Sequence, residues 1–109
     1  MAERNLPPEF AELERFVPEW SIDTEAGRNR HRLAASYEQL QDFYRSLLPH
    51  MDAIITRLRE QPLDALADAD QRLLNLALMF MEVAPSVEIF RSVDVPGGFA
   101  AERFHILPG

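Results

Sequence analysis

Eight apolar residues between positions 33 and 58 recur at alternating intervals of four and three residues. They are Leu33, Tyr37, Leu40, Tyr44, Leu47, Met51, Ile54 and Leu58. A seven-residue repeat sustained over nearly four heptads is typical of a coiled coil or a helical bundle. No stretch of the sequence alternates apolar and polar residues at every second position over any length, as a half-buried strand does. The sequence therefore predicts an all-α fold, and its length predicts a single domain over residues 1–109.

Pro49 lies inside this repeat and lacks the amide hydrogen that a regular helix would direct to the carbonyl of Arg45. It therefore marks either a helix boundary or a kink. The heptad spacing passes from Leu47 to Met51 without a shift, which favours one kinked helix over residues 23–60. Such a helix would be roughly 55 Å long and would extend beyond a compact chain of this size.

The segment before the long helix predicts a short one. Pro8 can open a helix over residues 9–16, because proline is tolerated at a first helical position, and Pro18 is expected to end it. Trp20 then anchors the connection on the core. The expected N-cap of the long helix is Ser21 or Asp23.

Residues 69–83 predict a helix that is apolar almost all round, which indicates a central element. Asp68 and Gln71 have the spacing of a capping box at its start. Pro85 breaks or kinks the helix, and residues 86–91 continue as a last helical piece. We expect this helix to lie antiparallel to the long one.

The two major helices of one chain cannot by themselves bury a helix that is apolar on all sides. We therefore expect a homodimer in which two helical hairpins form a four-helix bundle, with its two-fold axis along the Leu33–Leu58 seam. The apolar residues of the tail, after a turn at Pro96-Gly97-Gly98, are expected to pack against the body. They are Phe99, Phe104 and Ile106.

Composition excludes several classes of function. The chain has no cysteine, which rules out disulfides, thiolate catalysis and zinc-ribbon or iron–sulfur sites. Its net charge of −7 argues against nucleic acid as a partner, because phosphate-backbone binding needs a basic face. The longest apolar stretch is interrupted by Asn75, Glu82 and Pro85 and is too short to span a membrane. The first residues lack the features of a signal peptide, so a cytoplasmic location is expected.

Glu82 is the single charge inside the stretch LLNLALMFMEVAPSVEIF, residues 73–90. It can be a solvated charge on a narrow polar strip with Gln71 and Asn75. It can also be a partly buried carboxylate with a raised pKa that acts as an acid, base or ligand, or one half of a structural pair with an arginine. We favour the solvated edge.

The sequence Arg28-Asn29-Arg30-His31-Arg32 concentrates basic residues near the start of the long helix. Its cations can pair with the acidic N-terminal helix or with Glu25, or they can form a site for an anion. A helix spreads Arg28, Arg30, His31 and Arg32 around its axis. They cannot all meet one ligand, so pairing is favoured.

No catalytic residue, metal site or cofactor is expected. The three histidines are far apart, Glu-x-x-His and HExxH are absent, and no serine lies in a glycine-flanked elbow. An enzyme would require Glu82 or His50 in a cleft. Tyr44, Met79 and Phe80 belong to an apolar stripe that is either core or the wall of a ligand pocket between the two main helices.

Four segments together resemble a small family of bacterial all-helical proteins to which no activity is assigned. They are FVPEWS (16–21), FYRSLLPHMDAI (43–54), PLDAL (62–66) and EVAPSVEIF (82–90). The resemblance covers most of the chain. It implies a compact helical bacterial protein and supplies no site residues.

The functional expectation is a non-enzymatic helical interaction or accessory protein that acts as a homodimer and can engage a second protein. The alternative is a protein that binds a small apolar or anionic ligand in a pocket between the two main helices.

Overall fold

The computed structural model describes residues 5–90, which form helices with no strand among them. In chain order the helices are the 3₁₀ helix Pro8–Phe16, α1 Val17–Trp20, α2 Glu25–Ala34, α3 Tyr37–Leu47, the 3₁₀ turn Leu48–His50, α4 Met51–Arg59, the 3₁₀ turn Leu63–Ala65 and α5 Asp68–Phe90. The predicted all-α fold is confirmed.

Helix α5 is the centre of the molecule and contacts α1, α2, α3 and α4. Leu73, Leu74 and Met79, which point to different sides of the helix, are all buried. The C-terminal end of α4 lies at the start of α5, where Arg57 meets Asp70. α3 lies beside the other end of α5 and therefore runs antiparallel to it, as predicted.

The prediction of one continuous helix over residues 23–60 was wrong, because the helix ends at Ala34. Ala35 and Ser36 are extended, with ψ of 148° and 160°. The Ser36 hydroxyl accepts the amide of Gln39 at 3.1 Å, and the Gln39 side chain accepts the amide of Ser36 at 2.9 Å. This capping box starts a new helix inside the apolar repeat.

The start of α2 also differs from the prediction. Neither Ser21 nor Asp23 caps it; the Thr24 hydroxyl accepts the amide of Gly27 at 3.0 Å. A Cβ placed at Gly27 would lie 2.7 Å from the Thr24 Oγ1 and 2.8 Å from the Ile22 Cγ2. Glycine therefore lets the chain turn tightly into α2.

At Pro49 the kinked helix is confirmed. α3 and α4 are joined by the 3₁₀ turn Leu48–His50, in which the Met51 amide donates to the carbonyl of Leu48. Leu47 and Met51, on either side, are both fully buried. Residues 37–59 therefore act as one kinked rod, about 35 Å long.

The seam assigned to a two-fold axis is covered within the chain from Leu40 to Leu58. Only its first two members are exposed, Leu33 by 68% and Tyr37 by 37%. The expectation that two major helices alone form the core of one chain left out the N-terminal segment. This segment adds five buried residues to the core: Leu6, Phe10, Leu13, Phe16 and Trp20.

Pro18 and Pro85 lie inside α-helices. Pro18 was expected to end the N-terminal helix, but it lies in the first turn of α1, where proline is tolerated, and the helix continues to Trp20. Trp20 stacks on Phe43 with ring centroids 4.4 Å apart, so its predicted anchoring role is confirmed. α5 continues through Pro85 to Phe90.

The predicted Pro96-Gly97-Gly98 turn and apolar tail lie outside the described residues.

Candidate functional site

Glu82 is paired rather than solvated, so the favoured interpretation was wrong and the arginine pair is correct. Its Oε2 accepts hydrogen bonds from Arg32 Nε at 2.6 Å and from Asn29 Nδ2 at 3.2 Å. The side chains of Arg32 and Glu82 are only 25% and 22% exposed. Residues 29 and 32 are almost one helical turn apart on α2, so both reach the same carboxylate when α2 lies against α5.

The pKa of Glu82 is lowered from its ordinary value of 4.5. Burial opposes ionisation, but the hydrogen bonds from Arg32 and Asn29 and the positive charges of Arg32 and Arg28 together outweigh it. A carboxyl group with a lowered pKa is ionised at neutral pH and is a poor proton donor there. The site is therefore an ion pair at a helix–helix contact.

The other basic residues of α2 diverge, as helix geometry required. Arg28 donates to the carbonyl of Ile22 at 2.9 Å, and Arg30 is exposed. His31 meets the ring of Trp20 edge-on at 4.4 Å, and its Nε2 is buried with no hydrogen-bond partner among the described residues. They do not form a joint anion site.

The predicted pairing of this cluster with the acidic N-terminal helix is also wrong. Glu9 bonds to Arg57 at 3.0 Å, Glu12 lies 3.4 Å from His50, and Glu14 accepts the backbone amides of Asn5 and Leu6. The acidic residues instead hold the N-terminal segment in place.

A cleft of about 350 Å³ opens between α2 and α5 beside the Glu82 pair. Arg32, Met81 and Pro85 contribute to its walls. The two charges in the cleft, on Arg32 and Glu82, already satisfy each other. This arrangement stabilises the contact between the helices and pairs the carboxylate of Glu82 with Arg32.

Tyr44, Met79 and Phe80 lie in the core. Met79 and Phe80 are fully buried and Tyr44 is 2% exposed. The rings of Tyr44 and Phe80 stack with centroids 5.2 Å apart, and the Tyr44 hydroxyl donates to Glu88 at 2.7 Å. These side chains fill the region between α3 and α5 in which a ligand pocket was considered.

A second buried ion pair escaped the sequence interpretation. Arg57 Nε lies 2.6 Å from Asp70 Oδ1, and the Asp70 side chain is only 6% exposed. Arg57 also reaches Glu9. One guanidinium thus connects α4, the start of α5 and the N-terminal 3₁₀ helix. Nothing local in the sequence distinguishes it from an exposed helical arginine.

A groove of about 580 Å³ lies between the N-terminal 3₁₀ helix and the end of α3, and the sequence did not predict it. The residues lining it are Glu12, Leu13, Arg15, Arg45, Ser46, Pro49 and His50. The only sequence signal was the coincidence of Arg45, Ser46 and His50 around Pro49. Their convergence with Arg15 depends on the tertiary fold.

Within residues 5–90, no group of three or more histidine, aspartate and glutamate side chains is placed to hold a metal ion. None of the helices in the same range combines the length and apolar character needed to cross a bilayer. Comparisons with protein-family models, with curated proteins and with solved structures gave no match.

Proposed function

We propose that the chain is a non-enzymatic helical interaction protein that acts as a homodimer through the outer face of α2. The observation that carries the proposal is Leu33, which is 68% exposed at the end of a helix whose other face is held down by polar contacts. α2 contributes no buried residue to the core.

The outer face of α2 is a continuous surface. Ala26, Arg30 and Leu33 are spaced by four and three residues, so they share one side of the helix, and all three are exposed. Tyr37 lies at the start of α3, just beyond the break. We call these four residues the α2 face.

A second copy is the occupant that fits this surface. Within the part of the chain that the structure describes, the members of the seven-residue repeat from Leu40 onward are buried, whereas Leu33 is 68% exposed. An isologous dimer brings the same patch of both copies together around a two-fold axis. A stable interface buries about 800 Å² per partner, so it must extend beyond these four side chains onto the neighbouring exposed surface of α2 and α3.

We propose no catalytic role for Glu82 or Asp70, because each carboxylate is paired with an arginine. Glu82 is bonded to Arg32, and Asp70 is bonded to Arg57. Each is committed to holding two helices together. The pocket that the ligand-binding alternative placed between the main helices coincides with Tyr44, Met79 and Phe80, which are core residues.

Sedimentation equilibrium tests the proposal. The wild-type chain should have twice its 12.5 kDa mass at micromolar concentration. Leu33→Lys should return it to the mass of one chain, because the substitution places a charge in the interface. A lysine in the last turn suits the helix dipole, so α2 itself should remain folded.

Ala53→Lys is the matched control, since Ala53 is also an exposed helical position but lies on α4. It should leave the mass doubled. A wild-type mass of 12.5 kDa at micromolar concentration would overturn the proposal, as would dissociation caused equally by both variants.

A further inference from the structure

We propose that the groove between the N-terminal 3₁₀ helix and the end of α3 binds a small organic anion, with its carboxylate or phosphate group between Arg45 and His50. The groove lies on residues that the α2 face does not use. Its volume of about 580 Å³ falls within the range of small-molecule sites, roughly 300–1,000 Å³.

Three cationic or protonatable side chains converge on the groove, namely Arg15, Arg45 and His50. Arg15 is already held by Asp42, through bonds of 2.9 and 3.1 Å, and it also donates to Ser46 at 3.0 Å. Arg45, by contrast, has no ion-pair partner among residues 5–90 and is exposed. It is the cation in the groove whose charge remains available.

The chain's own carboxylate already occupies the place expected for the ligand. Glu12 brings its Oε2 to 3.4 Å from His50 Nε2, yet the Glu12 side chain is 83% exposed. A contact this long and this exposed holds its carboxylate weakly. An incoming anion can therefore replace Glu12 at His50 and gain Arg45 as a second donor.

The position of His50 is fixed by the fold. Its ring meets Phe10 edge-on, with centroids 6.3 Å apart, and its side chain is 25% exposed. Pro49, exposed next to it, offers an apolar surface to the body of a ligand, and Leu13 also lines the groove. The groove therefore suits a compact organic acid with a ring better than a bare inorganic ion.

The overall charge of −7 does not prevent this binding. Charges separated by more than about 8 Å are largely screened at physiological ionic strength, so a small anion responds to the cations that it touches. A polyanion such as nucleic acid covers a much larger area and would meet the acidic surface as well.

The test is a titration of the ¹⁵N-labelled full-length chain, followed by amide chemical shifts, with phenyl phosphate, benzoate and inorganic phosphate as probes. Phenyl phosphate or benzoate should give saturable shifts confined to the amides around residues 13 and 45–50. Inorganic phosphate should bind more weakly, because it cannot use Pro49. The stronger of the two organic probes identifies the preferred anionic group.

Three variants make the result specific. Arg45→Gln should weaken binding about two- to fivefold, the range expected for an exposed ion pair. Glu12→Gln should strengthen it, because the competing carboxylate is removed. Arg59→Gln removes the same charge from an exposed position on α4 and should change nothing.

The proposal fails if no probe gives saturable shifts. It also fails if Arg45→Gln and Arg59→Gln weaken binding equally, which would indicate unspecific attraction to surface arginines, or if Glu12→Gln weakens binding. All three positions are exposed, and the same spectra report directly whether each variant is folded.

Discussion

Glu82 keeps its charge at a site from which much of the surrounding water is removed, because α2 replaces that water with donors. Arg32 and Asn29 bond directly to the carboxylate, and Arg28 adds a positive charge nearby. An isolated carboxylate at this depth would have a raised pKa. The lowered pKa therefore results from the donors and charges that α2 brings to Glu82.

Glu82→Gln should destabilise the chain by about 1.5 kcal/mol at pH 7, the lower end of the range for a hydrogen bond to a charged group. Because the folded-state pKa lies below the ordinary 4.5, the stabilisation is complete above about pH 5 and is lost as pH falls through the lowered value. Urea unfolding of both proteins from pH 3 to pH 8 measures this. The two stabilities should converge as the pH falls through the lowered pKa of Glu82, and equal stabilities from pH 5 to pH 8 would contradict the pair.

At Gly27, two effects of an added methyl group on the stability of the chain oppose each other. Alanine normally favours a helix over glycine by up to about 1 kcal/mol, so propensity alone predicts that Gly27→Ala stabilises the chain. Its Cβ, however, would press on the Thr24 hydroxyl and on Ile22. Moving Thr24 costs the N-cap, about 1 kcal/mol, and Ile22 must move as well.

We therefore expect Gly27→Ala to lower the free energy of unfolding, measured by chemical denaturation, because loss of the cap offsets the gain in helix propensity and Ile22 must move in addition. Arg30→Ala, at an exposed position of the same helix, is the control and should have little effect. A more stable Gly27→Ala protein would show that the α2 start can relax without loss of its cap.

At the scale of helices, the break at Ala35–Ser36 decides the architecture. It lets α2 leave the line of α3 and lie on α5, where it meets Glu82. Without the break, Leu33 would continue the seam of α3. The capping box formed by Ser36 and Gln39 is the local cause of this change in direction.

Ser36→Ala should reduce stability by about 1 kcal/mol, because α3 loses the acceptor for the Gln39 amide. Ser36→Asp, which retains a capping oxygen, should be close to wild type. Thermal or urea unfolding followed by circular dichroism distinguishes the two variants. If Ala and Asp are tolerated equally, the capping box does not determine where α3 begins.

The helices could be predicted where buried residues recur at a regular spacing. They were harder to predict where a helix-capping pattern lies within such a repeat. The repeat from Leu40 to Leu58 correctly indicated a buried stripe that survives Pro49. It failed at Leu33 and Tyr37, because their spacing hid the Ser36-x-x-Gln39 pattern of a helix start. The apolar character of residues 69–83 correctly indicated a central helix.

The sites were less predictable than the helices, because their partners are distant in sequence. Arg32 and Glu82 are 50 residues apart, and Arg15 and Asp42 are 27 apart. No single-helix spacing rule connects such pairs. The polar strip Gln71, Asn75, Glu82 suggested a solvated edge, yet Asn75 is buried and Glu82 faces α2.

At the scale of the whole molecule, the proposed dimer links folding to concentration. A partner that binds the folded chain stabilises it by mass action, so the Tm should rise as the protein concentration increases. Each copy carries a net charge of −7, and added salt should strengthen the association by screening the repulsion.

Differential scanning calorimetry over a hundredfold range of concentration measures this effect. Leu33→Lys should abolish the concentration dependence of the Tm, and Ala53→Lys should retain it. A wild-type Tm that does not move with concentration would speak against a dimer, whatever the stability of the single chain.

No residue of α2 is fully buried, and this affects how the protein can change over generations. Substitutions at Ala26, Arg30 or Leu33 leave every buried contact intact, whereas Gly27, His31 and Arg32 are tied to the rest of the fold. The fold therefore constrains one side of this helix, and only the proposed self-association constrains the other. Descendants of this chain can acquire different binding partners on α2 while inheriting the same core.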